Sequence, residues 1–301
     1  MSDYVLGIDV GGTKIAIASM DFSGNVLKSS SISSAANSSD ELWSRLVDEA
    51  TSVADSTSGN MAGIGIGSAG PINVDKGTVS PVNISVWRDF PLVDSLRKTF
   101  ECDRVAMHGD AIALTNAEFR YGAGAGSQHM IGMVVSTGIG GGLVLDGELK
   151  VGQSGNSGYF GHSTIVVDGD LCPCGRRGCV EVYASGPHMV RQAKENGWKS
   201  DSNDFMALAD AARAGDEIAI AAIARGADSL AVGIVNVAAT VDVNLVVLGG
   251  GVSRAGDIYW GPLRSAIQRR TEGIEFLSDL EIRPAKLQSE AGVIGAALAA
   301  L

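Results

Sequence analysis

The chain has 301 residues, 45% hydrophobic and 19% charged, enough to bury the cores of two domains. Its formal net charge of −11 leaves no basic footprint for a phosphate backbone, so no nucleic-acid partner is expected. No run of about 18 uncharged apolar residues offers a membrane span, and the first residues lack the basic-then-apolar order of a signal peptide, so a cytoplasmic protein with no membrane partner is expected.

Tyr4–Val10 reads as a buried strand and Ile15–Met20 as its partner across a glycine turn, with Asn25–Ser31 a third strand. Glu41–Ser52 has helical spacing and Ala62–Ile66 is a short apolar strand. Val105–His108 is a strand running into a helix over Ala111–Tyr121. Met130–Ser136 and Gly142–Leu145 repeat the strand, glycine turn, strand pattern of the N-terminus. Pro187–Asn196, Asp204–Ala214 and Glu217–Ala239 read as helices, Leu245–Leu248 as a strand, and Asp257–Arg269 and Glu290–Ala300 as helices. Strands alternating with helices make the class α/β. The repeated hairpin suggests a duplicated domain. The expected division is 1–117 and 118–287, with the final helix, about 288–301, returning to the first domain.

Forty glycines against seven prolines gather at strand ends, which suggests backbone approaching a ligand. Asp9-Val-Gly11-Gly12-Thr13-Lys14 follows a strand and offers backbone N–H groups, a hydroxyl and a cation to an anion. Its order does not match a Walker motif. Ser136-Thr137-Gly138-Ile-Gly140-Gly141-Gly142 is a second such turn, and Gly249-Gly250-Gly251-Val-Ser253 a third. One turn alone is usually a hairpin; three, each after an apolar strand, favour a split nucleotide site. Gly65-Ile-Gly67-Ser-Ala-Gly70 spells the dinucleotide fingerprint, with Asp89 near the distance of a ribose acid. Pro71, Gly77 and Pro81 follow, so no helix opens there and the fingerprint is rejected.

Cys172-Pro-Cys174-Gly-Arg-Arg-Gly178-Cys179-Val-Glu181 follows Gly161-His162. Three thiols and one imidazole within 18 residues are the ligand number of a closed tetrahedral zinc site. The odd number of cysteines in the cluster, without any mark of secretion, argues against a disulfide. Asp110 stands between a strand and a helix: alone it reads as a helix cap, and functionally as a general base in phosphoryl transfer. Alone, Asn83 reads as a turn residue and Glu181 as a solvated acid.

Taken together, these stretches resemble the ROK family of sugar kinases and sugar-responsive repressors, in the actin/hexokinase/Hsp70-like superfamily, over nearly the whole chain. Asp9–Lys14 and Thr137–Gly142 resemble its two phosphate loops, Gly249–Gly251 its adenosine motif, and Cys172–Glu181 with Gly161-His162 its zinc signature. Asn83 with Trp87 and Pro91-Leu92 resembles its Asn-Leu-x-Trp stretch, and Asp110-Ala111 its catalytic Asn-Asp-Ala-Asn.

The resemblance implies two RNase H-like domains of the actin-like ATPase type, with ATP and a sugar between them. It implies structural Zn²⁺ on His162, Cys172, Cys174 and Cys179. Asp110 would be the base toward a sugar hydroxyl, usually on C6, with Gly70, Asn83, Asp110, Tyr159, His162 and Glu181 around the sugar. ATP would lie along Gly11, Gly12, Thr13, Lys14, Thr137, Gly138, Gly140, Gly141, Gly249, Gly250 and Gly251, and Asp9 would hold Mg²⁺ through water. A homodimer is implied, since dimers are common in the family.

Three positions depart from the pattern. The family's Glu-x-Gly-His is Tyr159-Phe160-Gly161-His162 here, and the asparagines flanking the catalytic aspartate are Gly109 and Ile112. A phenol donates one hydrogen bond and stacks, where a carboxylate accepts several. Some N-acetylmannosamine kinases of the family lack this glutamate, whereas glucokinases normally keep it. The expected acceptor is therefore a hexose or N-acylhexosamine, N-acetylmannosamine favoured. Glucose is the alternative, and a non-catalytic sugar binder the second. Repressors of the family carry an added N-terminal DNA-binding segment, and with a first strand expected at Tyr4 no such segment, and so no repressor, is expected here.

Overall fold

The structure, a computed structural model, describes residues 3–301. Its first sheet holds β1 (Tyr4–Val10), β2 (Lys14–Asp21), β3 (Val26–Ser33), β4 (Met61–Ser68) and, after a ribbon of β5 (Ile72–Asn73) and β6 (Thr78–Val79), β7 (Val105–Gly109). The order is β3-β2-β1-β4-β7. The first three strands pair antiparallel, and β1, β4 and β7 run parallel. Three helices follow these strands: α1 (Ser39–Asp55), α2 (Leu92–Thr99) and α3 (Asp110–Tyr121).

Strand periodicity sorts the side chains of β1 to two faces. Leu6, Ile8 and Val10 join Ile64, Ile66, Leu42, Leu46 and Trp87 in one core. Val5 joins Met20, Ala117, Ile294 and Ala297 in another, against the last helix, Ala291–Leu298. That second face is a glycine surface. A side chain at Gly65 would start 1.9 Å from the Ala296 carbonyl oxygen, and one at Gly7 2.3 Å from that of Val293. The glycines of Gly63-Ile-Gly65-Ile-Gly67 thus let a helix lie directly on the sheet, and no helix follows Gly70. The rejected dinucleotide fingerprint is a packing stripe. Glycines here stand inside strands as well as at their ends, so the expectation of ligand approach covers only part of them.

The buried carboxylate of Glu118, on α3, accepts the N–H groups of Ala123 (2.8 Å), Lys286 (3.0 Å) and Leu287 (2.7 Å). It thereby fixes the end of its own helix and the lead into the last one.

The second sheet repeats the order of the first: β10 (Glu148–Lys150), β9 (Ile139–Leu145), β8 (Met130–Val135), β11 (Leu245–Gly249) and β12 (Glu281–Pro284). The helices after it are α4 (Glu181–Ala184), α5 (Gly186–Glu195), α6 (Phe205–Arg213), α7 (Glu217–Val241) and α8 (Asp257–Thr271). α7 is long and apolar enough to cross a membrane by length and composition alone, although Arg225 and Asp228 interrupt it, so it holds no uncharged run of that length. Its Ala222, Ile223, Ala227, Leu230, Ala231 and Ile234 are buried and it packs against α8, α6, α4 and α5, as the core helix of this half does.

By contacts the chain forms two units. One comprises residues up to Ser127, Gly142–Gly158 and Lys286–Leu301; the other comprises Gln128–Gly141 and Tyr159–Ala285. The expected boundary at 117/118 lies inside α3, and the later division passes through β9, after Gly141.

Candidate active site

In the first unit, β1 delivers Asp9 on the same face as Gly7, with its carboxylate against Gly292 at the start of the last helix: a side chain there would begin 2.1 Å from Asp9 Oδ2. The β1–β2 turn is closed by the Gly11 N–H donating to the Lys14 carbonyl at 3.0 Å. Thr13 and Lys14 are exposed on it. Gly12 has no room for a side chain because Asn83 Nδ2 would lie 2.8 Å from it. Asn83, far off in sequence, is thus brought onto the first glycine turn, with its own surface exposed. The loop leading to it is held by the Gly70 carbonyl, which accepts the Val82 N–H at 3.2 Å. Trp87 plays a different part. It is fully buried and stacks on Phe90 at 4.6 Å, a core residue under the Asn83 loop.

Asp110 is the first residue of α3. Gly109 takes the capping position, and Asp110 Oδ1 instead accepts the Ala111 N–H at 2.7 Å. The bland reading of Asp110 as the cap therefore fails. The residue keeps solvent access, yet desolvation by the surrounding protein raises its carboxyl above the ordinary carboxylate value, against the pull of the Ala111 N–H. Asp9 is pushed up to about 7 by burial, then by the charge of Asp110, with Lys14 pulling the other way. The two carboxyls thus lie near enough to repel, the arrangement a divalent cation relieves.

In the second unit, the turn Ser136–Gly138 is tight, with the Ser136 N–H donating to the Gly138 carbonyl at 2.9 Å. Thr137 is exposed at its tip. Gly140 and Gly141 lie on β9 rather than in the turn, and a side chain at Gly141 would start 2.2 Å from the Gly132 carbonyl oxygen. Packing between strands accounts for that glycine. Gly249 ends β11, and Gly250 takes φ +97°, where a side chain would start 2.3 Å from the Val135 carbonyl oxygen. The third turn therefore lies directly beside the second. A cavity of about 200 Å³ opens next to both, lined by Ser136, Thr137, Gly251 and Val252 and by Pro187 and Phe205. Gly186, Asn203, Asp204 and Met206 complete it. The sequence reading missed these last residues, because Asp204 shows there only as the start of a helix; in the structure it caps that helix, accepting the Met206 N–H.

The four candidate metal ligands come together. The Sγ atoms of Cys172, Cys174 and Cys179 and a ring nitrogen of His162 all lie within 4.8 Å of one another, and no disulfide joins the thiols. Cys174 and Cys179 are 3.8 Å apart, and Cys172 Sγ is 3.5 Å from His162 Nδ1. A tetrahedral zinc with its usual bond lengths requires about 3.8 Å between two sulfurs and about 3.5 Å from sulfur to nitrogen. The donor set fits. Burial, reinforced by the neighbouring thiols, pushes Cys179 up to about 12, so three thiolates need a cation among them. With Nδ1 toward the thiols, the other ring nitrogen of His162 is left for a different partner. Tyr159, 54% exposed, lays its ring 5.1 Å from that of His162. Glu181, at the start of α4, turns away from bulk solvent: its Oε2 accepts the Ile139 N–H at 2.8 Å.

A model of the ROK family matches residues 5–301. The chain is 31% identical to a protein of Streptomyces coelicolor named glucokinase, over 97% of this chain and 96% of that one. It is 33% identical to a protein of Yersinia pestis named N-acetylmannosamine kinase, over 97% of each. In three dimensions it is similar to a ROK family glucokinase from Streptomyces griseus solved with glucose and AMPPNP, with TM-score 0.84, 31% identity, and 98% and 99% of the two chains covered. The shared strand order of the two sheets, the family match along nearly the whole length and relatives above 30% identity agree: this chain belongs to the ROK family and has its actin-like ATPase fold.

Proposed function

We propose that this chain is an ATP-dependent sugar kinase whose acceptor is an N-acylated hexosamine, with N-acetylmannosamine favoured. The observation that carries the kinase reading is Asp110: a solvent-reachable carboxyl just past the end of β7, near enough to Asp9 to repel it and raised by burial above its ordinary value. A base works best when its pKa approaches the working pH, and phosphoryl transfer asks a protein mainly for a proton acceptor, positioning and charge stabilisation.

Asp110 accepts the proton of the attacking sugar hydroxyl, taken to be that on C6. Asn83 and Gly70, together with Tyr159, His162 and Glu181, orient the sugar. The bound nucleotide supplies the transferred phosphoryl group and Mg²⁺ neutralises its charge. Asp9 would hold that Mg²⁺ through water. Gly11, Gly12, Thr13 and Lys14 would hold phosphates, as would Thr137 and Gly138, with Gly249–Gly251 toward the nucleoside. The AMPPNP of the Streptomyces griseus enzyme supports ATP as donor. His162, Cys172, Cys174 and Cys179 would hold a structural zinc, which would fix the imidazole.

For the sugar, relatives at 31% and 33% identity carry two different names, so overall similarity does not choose. Tyr159 supports the N-acylhexosamine: it stands where the family pattern that the chain resembles has a glutamate, which glucokinases normally keep. Glucose is the second reading, supported by the Streptomyces relatives.

Asp110→Asn tests the base. It removes the proton acceptor while leaving shape and polar contacts, so kcat falls on the order of a hundredfold or more and sugar affinity stays within about threefold. Turnover equal to that of the unchanged protein would rule Asp110 out.

A further inference from the structure

Glu181 does something its place in the metal segment does not announce. It is two residues past the candidate ligand Cys179, on the first turn of α4. Oε2 reaches back to β9 and accepts the Ile139 N–H at 2.8 Å. The same oxygen lies 2.8 Å from where a side chain at Gly138 would begin, so the turn needs glycine there to admit the carboxylate. A second link comes from the next helix: the Gly186 N–H donates to the Ser136 carbonyl at 2.9 Å. Both ends of the turn Ser136–Gly138 are therefore held by the short stretch Glu181–Gly186, which leaves the metal cluster directly. Oε1 of Glu181 has no hydrogen-bond partner among the described residues.

We infer that Glu181 is a positioning residue for the second glycine turn, setting its shape for the nucleotide and transmitting the state of the metal cluster to nucleotide affinity. This rests on the kinase reading above and adds to it a duty on the donor side, distinct from any contact with the sugar. An N–H that loses its acceptor is free to tilt, and the exposed Thr137 and the half-buried Gly138 move with it. Because the acceptor is one oxygen, a glutamine at the same place can replace it through its amide oxygen, while an alanine cannot.

The test compares the full chain with Glu181→Ala and Glu181→Gln. Titration with AMPPNP and Mg²⁺, without any sugar, reads donor affinity. Zinc content and thermal melting report that each variant is folded and metal-loaded. We expect Glu181→Ala to keep its zinc, to weaken AMPPNP about tenfold and to speed exchange of the Ile139 amide proton, with Glu181→Gln recovering to within about threefold. Chelation of zinc from the unchanged protein reproduces the weakening, and adds little in Glu181→Ala, since the two perturbations share one route. AMPPNP affinity within twofold of the unchanged protein in Glu181→Ala, or unaltered protection of Ile139, overturns the inference. If Glu181→Ala does not fold, Glu181→Gln decides through Ile139 exchange: protection held near that of the unchanged protein supports the inference, and its loss overturns it. Failure of the unchanged protein to bind AMPPNP would instead refute the kinase reading, so the two failures are separable.

Discussion

Asp9 releases its proton near pH 4 in the unfolded chain and at about 7 in the folded one. The folded state therefore binds the extra proton, and the stability Asp9 contributes is fully present below about pH 4 and lost as the pH rises through about 7. The full shift corresponds to about 4 kcal/mol, and solvent screening at this partly accessible site lowers it toward about 2 kcal/mol. Melting curves of the metal-free protein from pH 4.5 to 8 should fall by that amount more than those of Asp9→Asn, which lacks this titration while Asp110 keeps its own. A wild-type curve parallel to that of the variant would contradict the raised Asp9, which burial sets first and the charge of Asp110 second. At this scale the sequence was readable where chemistry is dense. His162 and the three cysteines converge as their spacing implied. It was opaque where a contact is made through the backbone: neither the Asn83–Gly12 approach nor the Glu181–Ile139 bond leaves any mark on residue type.

Elements were legible in proportion to their apolar content. β1, β8 and β11 are runs of buried apolar residues and stand within a residue or two of their expected limits. β12 was missed because it is an edge strand, Glu-Ile-Arg-Pro, with charged, partly exposed side chains and a terminal proline. α4 is a single turn, and β5 and β6 are two residues each, too short to carry a period. α2 has a clear amphipathic pattern with Leu92 and Leu96 buried, but it was read only as part of a motif. The glycines of β4 were misjudged for a deeper reason. Close approach of a helix and close approach of a ligand both ask for a missing side chain, and only the third dimension separates them. Gly65→Ala should therefore cost about 3 kcal/mol in denaturant unfolding, since its methyl would meet the Ala296 carbonyl oxygen at 1.9 Å. A loss below about 0.5 kcal/mol would show that the last helix does not lie on β4 as described.

Across the whole molecule, one strand order appears twice, in β3-β2-β1-β4-β7 and in β10-β9-β8-β11-β12. The repeated hairpin foretold it, although no residue-level repeat survives: hydrophobic alternation preserves a topology long after side-chain identity is gone. The first unit supplies the paired carboxylates, the first glycine turn and Asn83; the second supplies two more glycine turns, their cavity and the metal cluster with Glu181. Each set matches a different part of phosphoryl transfer from nucleotide to sugar. The most direct measurement is ADP release from Mg-ATP by the purified, zinc-loaded protein against N-acetylmannosamine, N-acetylglucosamine, glucose, mannose and fructose. The account predicts sugar-dependent release, fastest with N-acetylmannosamine and nearly abolished in Asp110→Asn. Sugar binding without ADP release on any member of the panel would contradict it.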